Sequence, residues 1–135
     1  MTELVLDAWG VVEWLEDRPA ADRMQLILDA AERSECRLLM NIVNLGEVFY
    51  VSAKKRGIDY GHHVLQIMRP RLTTISSPDE LVIFAATLKA RHRISYADGF
   101  AAATAILQNA PLVTGDPELR VLAASEKSLR VDWIG

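Results

Sequence analysis

The stretch Leu4-Val5-Leu6-Asp7-Ala8-Trp9 opens the chain with a short apolar run that leads directly into an acidic residue. We predict a strand over Leu4–Asp7, followed at once by a helix with apolar residues at helical spacing. Near the other end, Leu112-Val113-Thr114-Gly115-Asp116-Pro117 predicts a buried strand over Leu112–Thr114 and a short helix from Pro117. Strand-like and helical runs alternate in this way along the chain, which indicates an α/β domain with a central sheet covered on both faces.

The segments between these two stretches continue the alternation. Further strands are predicted at Arg37–Met40, Leu72–Ile75 and Leu129–Trp133. Further helices are predicted at Ala20–Arg33, at Val43–Arg56 with Gly57 as its terminator, from a cap at Asp59 to Arg69, from a cap at Ser77 to Arg91, and from Ser95 onward. We see no internal repeat or linker, and we expect residues 1–135 to form a single domain.

Composition narrows the function classes. Half of the 135 residues are apolar, enough for a real core, but no apolar stretch reaches the roughly 20 residues that span a bilayer. The amino terminus lacks the basic region of a signal peptide, so we expect a cytoplasmic protein without membrane contact. A lone Cys36 excludes an internal disulfide, and no Cys/His spacing indicates zinc. We interpret His62-His63 as solvated surface.

The net charge of −3 gives no global attraction to nucleic acid, so binding would need a local basic patch or a bound cation. Basic residues cluster at the ends of two predicted helices, as Lys54-Lys55-Arg56 and as Lys89 with Arg91-His92-Arg93. Because cations also stabilise helix carboxyl termini, both explanations of these clusters remain open.

Four acidic residues lie at or just beyond the start of predicted helices: Asp7, Glu47, Asp98 and Asp116. The carboxyl ends of parallel strands share one rim of the sheet, so acids far apart in sequence converge there. Each aspartate has an alternative role in capping, Asp98 as the partner of Ser95. Glu47 lies among valines and therefore needs a compensating partner.

A cluster of carboxylates suits a hard divalent cation, because Mg²⁺ and Mn²⁺ prefer oxygen ligands. One or two such ions lower the pKa of a bound water and neutralise a phosphate, as hydrolysis of RNA or DNA requires. The cation also explains how a mildly acidic chain binds a polyanion. The predicted chemistry is therefore phosphodiester hydrolysis by metal-activated water.

At these residues the sequence resembles the PIN-domain ribonucleases and, within them, the VapC-like toxins of type II toxin–antitoxin pairs. The resemblance is carried, in the family's order, by Leu4–Trp9, Asn44-Leu45-Gly46-Glu47-Val48, Ser95–Ala101 and Leu112–Leu119. It implies a three-layer α/β/α domain with a central, mostly parallel sheet. It also implies an endoribonuclease that depends on Mg²⁺ or Mn²⁺.

The resemblance further implies roles and partners. Asp7 and Asp98 would be the main metal ligands, with Glu47 and Asp116 completing the site, and Thr114, Ser95 and Asn44 would support them. The partners would be an RNA substrate, a cognate antitoxin that places a peptide in the acidic groove, and a second copy of the chain. Trp9 departs from the family pattern, since many relatives carry Ser, Thr or Asn there.

Two alternatives to the ribonuclease remain. A receiver-type signalling module would also bind Mg²⁺ in an acidic pocket, but Ala8 stands beside Asp7 where receivers place a second acid, and no lysine follows Leu112–Thr114. A PIN-like fold could instead be catalytically inactive and bind only protein or RNA. The complete set of four acids argues against the inactive form.

Overall fold

A computed structural model describes residues 1–135 of the chain and contains one five-stranded sheet. The strands lie in the order β3-β2-β1-β4-β5, and every neighbouring pair is parallel. Their bounds are β1 Thr2–Leu6, β2 Cys36–Asn41, β3 Thr73–Ile75, β4 Leu112–Thr114 and β5 Val131–Trp133.

Seven α-helices connect the strands, and a short 3₁₀ turn at Arg69–Arg71 follows the fourth helix. The helix bounds are α1 Ala8–Leu15, α2 Ala21–Glu32, α3 Ile42–Arg56, α4 Ile58–Met68, α5 Asp79–Arg91, α6 Tyr96–Gln108 and α7 Pro117–Ser125. None of them has the length and apolar content that a membrane-spanning helix requires.

Alternation of side chains along the strands divides the core into two layers. Val5 and Leu39 contribute to one apolar cluster together with residues of α5, α6 and α7. Leu6, Leu38 and Met40 contribute to a second cluster together with residues of α1 to α4. The sheet is therefore covered by helices on both faces, which confirms the predicted three-layer α/β/α fold.

The path of the chain creates a crevice beside β1. From β1 the chain moves to β2 and β3 on one side, and then crosses back to β4 and β5 on the other. Ligands of open α/β sheets bind outside the carboxyl ends of the strands at such a reversal. Here the reversal lies between β1, which is followed directly by Asp7, and β4, which is followed by Gly115 and then Asp116.

The predicted strands and helices are all present, with ends displaced by a few residues, but two predicted caps are wrong. Helix α4 begins at Ile58 with Gly57 in the capping position, so Asp59 lies in the first turn instead. The backbone of Gly57, with φ of 97°, lets α4 follow α3 without a linker and leaves no place for the predicted aspartate cap.

The predicted cap of α5 at Ser77 is also wrong. This helix begins at Asp79 with Pro78 in the capping position, and no side chain caps it. The Ser77 hydroxyl instead donates a hydrogen bond of 2.9 Å to the buried amide oxygen of Asn41. A buried amide must find its hydrogen-bond partners inside the protein, whereas an exposed helix end can bond to water. The Ser77 hydroxyl therefore bonds to Asn41 and does not cap α5.

Candidate metal centre

Asp7 lies at the end of β1, where it caps α1 and is 2% exposed. Its Oδ1 accepts a hydrogen bond from the Gly10 backbone at 3.3 Å, and its Oδ2 accepts one from the Thr114 hydroxyl at 2.5 Å. Burial raises the pKa of Asp7 to about 7, and the charges of Asp116 and Glu47 add to the rise, although both hydrogen bonds oppose it. Asp7 is therefore a buried acid whose ionised form lacks a compensating cation.

Thr114, at the end of β4, connects two of the acids. While its hydroxyl donates to Asp7, the same oxygen accepts a hydrogen bond of 3.0 Å from the Asp116 backbone. Asp116 in turn caps α7, and its Oδ1 accepts from the Glu118 backbone at 2.9 Å. Thr114 thus fixes the position of the Asp7 carboxylate relative to the start of α7.

Asp98 enters the site from the first turn of α6. Ser95 caps this helix by accepting a hydrogen bond of 3.1 Å from the Asp98 backbone, so the serine positions the start of the helix. Burial raises the pKa of Asp98 to about 8, and the charges of Asp116 and Asp7 raise it further. A carboxylate oxygen of Asp98 lies within 4.8 Å of one of Asp116, and hydrogen bonding to Asp116 adds to the rise in the pKa of Asp98.

Glu47 and Asn44 come from one face of α3. Burial raises the pKa of the half-buried Glu47, and the charge of Asp116 adds to this rise. The amide nitrogen of Asn44 donates a hydrogen bond of 2.9 Å to the Ala97 carbonyl, which ties α3 to the start of α6. The amide oxygen of Asn44 is buried and has no partner in the protein.

A cavity of about 190 Å³, here called the acidic cavity, brings three of the four predicted acids together: Glu47, Asp98 and Asp116. Asp7 does not line this cavity. It is connected to the site by the hydrogen bond from Thr114 and by electrostatic interaction with Asp116 and Glu47. Carboxylate oxygens of Asp98, Asp116 and Glu118 all lie within 4.8 Å of one another. The tightest acidic group therefore contains Glu118, which the sequence prediction did not include.

Glu13 and Arg18 also line the acidic cavity and were missed from the sequence. Glu13 is 7% exposed, and Arg18 forms an ion pair with it at 3.6 Å. Arg18 is the basic residue of the cavity wall, whereas Arg56 and Arg71 pair with Glu16 and Glu32 elsewhere. Neither pattern nor spacing marks Glu13 or Arg18, because a charged residue on or beyond a short helix is ordinary surface.

Trp9, the departure from the family pattern, forms part of the wall of the acidic cavity. Its indole packs directly on the backbone of Gly115, where a Cβ atom would overlap the ring. Glycine is therefore required between Thr114 and Asp116 to make room for this side chain. An indole that packs on the backbone here replaces the small polar group expected beside Asp7.

The donor set fits a hard divalent cation, since every acidic group at the crevice offers carboxylate oxygen. The raised pKa values of Asp7, Glu47 and Asp98 show that ionised carboxylates are disfavoured here without a positive charge. A cation with charge 2+ would reverse that preference. The group of Asp98, Asp116 and Glu118 could thus hold a metal ion.

A PIN domain family model matches residues 4–125. The chain belongs to the PIN-domain family. No curated protein sequence matches it significantly. The PIN fold agrees with the predicted resemblance, and membership of this family excludes the receiver-type alternative.

Solved structures show the same PIN fold. A chain of VapBC2 from Rickettsia felis, bound to promoter DNA, matches with TM-score 0.75 and 20% identity, over 97% of this chain and 98% of that one. DNA-bound VapBC from Salmonella typhimurium matches with TM-score 0.73 and 15% identity, over 100% of both chains. VapC20 from Mycobacterium tuberculosis, a sarcin-ricin loop cleaving toxin, matches with TM-score 0.72 and 12% identity, over 90% and 94%. At these identities the similarity establishes the VapC-like fold.

Proposed function

We propose that this PIN domain is an endoribonuclease that depends on Mg²⁺ or Mn²⁺ and acts in the cytoplasm as the toxin of a toxin–antitoxin pair. The supporting observation is the convergence of Asp98, Asp116 and Glu118 at the crevice between β1 and β4, beside the buried Asp7. A metal-dependent phosphodiesterase uses several carboxylates of this kind to bind its catalytic cation.

The acids divide into main ligands and additional ligands by the effect of burial on each carboxyl group. Asp7 and Asp98 are the proposed main ligands, because burial makes each of them the acid that gains most from a cation. Glu47 and Asp116 complete the site, and Glu118 is added to it as a ligand candidate. When bound there, the ion would supply a water of lowered pKa and would neutralise charge on the phosphate.

The residues of the chain prepare this site in two ways. The Thr114 hydroxyl holds Asp7 and the Asp116 backbone in a fixed relation, which orients one ligand before the ion arrives. Because the pKa of Asp98 is raised to about 8, its carboxyl group must lose a proton before it can act as an ionised ligand at neutral pH. Cation binding should therefore release a proton and strengthen as the pH rises.

The proposed partners are a cognate antitoxin and a second copy of the chain. Two of the matching solved structures are VapBC assemblies bound to DNA, and another is described as a toxin–antitoxin complex from Klebsiella pneumoniae. The acidic cavity offers Glu47, Asp98 and Asp116 to a basic side chain. An antitoxin that inserts such a side chain would neutralise the site as a cation does.

The deciding experiment is cleavage of mixed-sequence single-stranded RNA by the purified chain. Cleavage is expected with Mg²⁺ or Mn²⁺ and should stop on addition of EDTA. The Asp98→Asn variant should be inactive and should no longer arrest growth on expression. Asp59→Asn, which changes an exposed acid on α4, is the matched control and should behave as wild type.

Two results would contradict the nuclease. RNA that stays intact with both metals while still binding to the chain would favour the inactive PIN-like alternative. Full activity of Asp98→Asn would show that the acidic cavity is not the catalytic site, whatever the source of the cleavage.

A further inference from the structure

A second cavity adjoins the acidic cavity at Trp9 and Glu13. It has a volume of about 550 Å³ and is here called the tryptophan cavity; its walls include Trp9, Glu13, Arg23, Gly115, Trp133 and Gly135. Trp9 and Glu13 belong to the walls of both cavities. The volume lies within the roughly 300–1,000 Å³ that is usual for sites of small organic groups.

Two indole rings form part of the wall of the tryptophan cavity. The Trp9 ring packs on the backbone of Gly115, and a Cβ atom at Gly135 would lie 2.8 Å from Cζ2 of Trp133. Both glycines therefore leave room for an aromatic ring close to the backbone. Both tryptophans are only half-buried, so each retains exposed aromatic surface.

Positive charge accompanies this aromatic surface. The Arg120 guanidinium lies 4.2 Å from the centre of the Trp133 ring, and Arg23 forms part of the cavity wall. Both arginines are exposed, and neither has an acidic partner within ion-pair distance. In a chain of net charge −3, these two arginines supply local positive charge beside the aromatic rings, which suits a polyanion.

We propose that the tryptophan cavity binds one unpaired base of the RNA substrate, adjacent to the phosphate that lies in the acidic cavity. Trp9 and Trp133 pack against the base, while Arg23 and Arg120 contact the flanking backbone phosphates. This assignment rests on the proposed ribonuclease function and adds to it a preference for single-stranded or looped RNA. Proteins recognise such RNA by stacking splayed bases on aromatic and arginine side chains.

The position of Trp9 explains why the two sites would act together. The Trp9 indole lines both cavities, so a nucleotide whose phosphate reaches Asp98 and Asp116 has its base or its neighbour's base within reach of Trp9. A double-stranded substrate keeps its bases stacked and paired, and it cannot fill the tryptophan cavity without opening. Flat rings with unpaired arginines favour a nucleotide over a peptide as the occupant.

Tryptophan fluorescence tests the proposal, because two of the three tryptophans line the cavity. The Asp98→Asn variant, which should not cleave, is titrated with a short mixed-sequence single-stranded RNA and with the same RNA as a duplex. The single strand should quench the fluorescence and bind more tightly than the duplex. Adding Trp133→Leu should weaken single-strand binding about tenfold, the size expected for loss of one stacked base, whereas Trp133→Phe should retain most of the affinity.

Trp14→Phe is the matched control. Trp14 lies on α1 outside the cavity, where its indole nitrogen donates a hydrogen bond of 2.8 Å to Gln25. This variant should keep the affinity of its parent. If circular dichroism shows that Trp133→Leu fails to fold, the exposed Arg23→Glu replaces it and should weaken binding severalfold and reduce its salt dependence.

Unchanged affinity of the folded Trp133→Leu variant for single-stranded RNA, or of Arg23→Glu in its place, would overturn the proposal. Weaker binding of the cognate antitoxin with unchanged RNA affinity would also overturn it and would assign the cavity to protein. Failure of the proposed nuclease activity gives a different result from failure of the base site. If wild type cleaves no RNA with Mg²⁺ or Mn²⁺ but binding still depends on Trp133, the catalytic proposal fails and the base site stands.

Discussion

Replacement of Asp7 by Asn should stabilise the metal-free protein at alkaline pH although it removes a proposed ligand. Asp7 is 2% exposed, and its pKa is raised from 3.8 to about 7, mainly by burial. A carboxyl group with a raised pKa binds its proton more tightly in the folded state than in the unfolded state. Its contribution to stability is therefore full below about pH 4 and is lost as the pH rises through about 7.

The size of this loss follows from the two pKa values. At 1.36 kcal/mol per pH unit, ionisation of Asp7 lowers the free energy of unfolding by at most about 4 kcal/mol between pH 4 and pH 8. Asn does not ionise, but it offers one acceptor oxygen where Asp7 accepts from both Gly10 and Thr114, which costs about 1 kcal/mol at every pH. The variant should thus be about 3 kcal/mol more stable than wild type at pH 8 and nearly equal to it near pH 5.

Thermal unfolding followed by circular dichroism in EDTA measures the effect. A gain of about 3 kcal/mol corresponds to roughly 10 °C in Tm for a chain of this size, with little change at pH 5. Asp59→Asn, on an exposed helix start, should change Tm by little and equally at both pH values. Mn²⁺ should raise the Tm of wild type at pH 8 more than that of Asp7→Asn. An Asp7→Asn variant that is destabilised equally at pH 5 and pH 8 would refute the account of Asp7 as a buried, strained acid.

Three further substitutions test other contacts of the site. Thr114→Val removes the hydroxyl that lowers the pKa of the buried carboxylate after β1, so the variant should unfold about 1–3 kcal/mol more easily and its pH–rate profile should move to higher pH. Glu118→Gln should weaken Mn²⁺ binding about tenfold or more by calorimetry, and unchanged affinity would remove Glu118 from the ligand set. Gly115→Ala should cost about 1–3 kcal/mol in chemical denaturation because a methyl group there overlaps the Trp9 ring, whereas Gly46→Ala, with open space around it, should be neutral or stabilising.

The positions of the acids that follow strands were predictable because the carboxyl ends of all parallel strands lie at one edge of the sheet. An apolar run that ends in Asp places that side chain at the carboxyl edge, whatever the packing details. Asp7 and Asp116 follow this rule, and the neighbouring strands β1 and β4 bring them to one crevice. Glu47 and Asp98 were found instead from helix starts and apolar surroundings, and both line the acidic cavity.

The residues that the sequence did not reveal depend on tertiary packing. Glu118 occupies the first turn of α7, where an acid is expected from the helix dipole alone, so its approach to Asp98 leaves no separate pattern. Arg18 follows the end of α1 and reaches the cavity only through the course of the chain after that helix. The wrong cap at Ser77 has a similar origin, since its hydroxyl serves the buried Asn41 from another strand.

Capping and ligation, which the sequence presents as alternatives, are compatible in the structure because a carboxylate has two oxygens and several lone pairs. Asp116 caps α7 through Oδ1 and still offers a carboxylate oxygen within 4.8 Å of one of Asp98, and Asp7 caps α1 through Oδ1 while Oδ2 accepts from Thr114. Each cap fixes one oxygen, which restricts the rotation of the group and holds the acid near its neighbours despite their repulsion. A helix that starts just after a parallel strand thus restrains the acid that caps it, as a metal site requires. In the sequence, capping offers an alternative explanation for Asp7 and for Asp116. In the structure, the same capping helps to hold both acids in place for a cation.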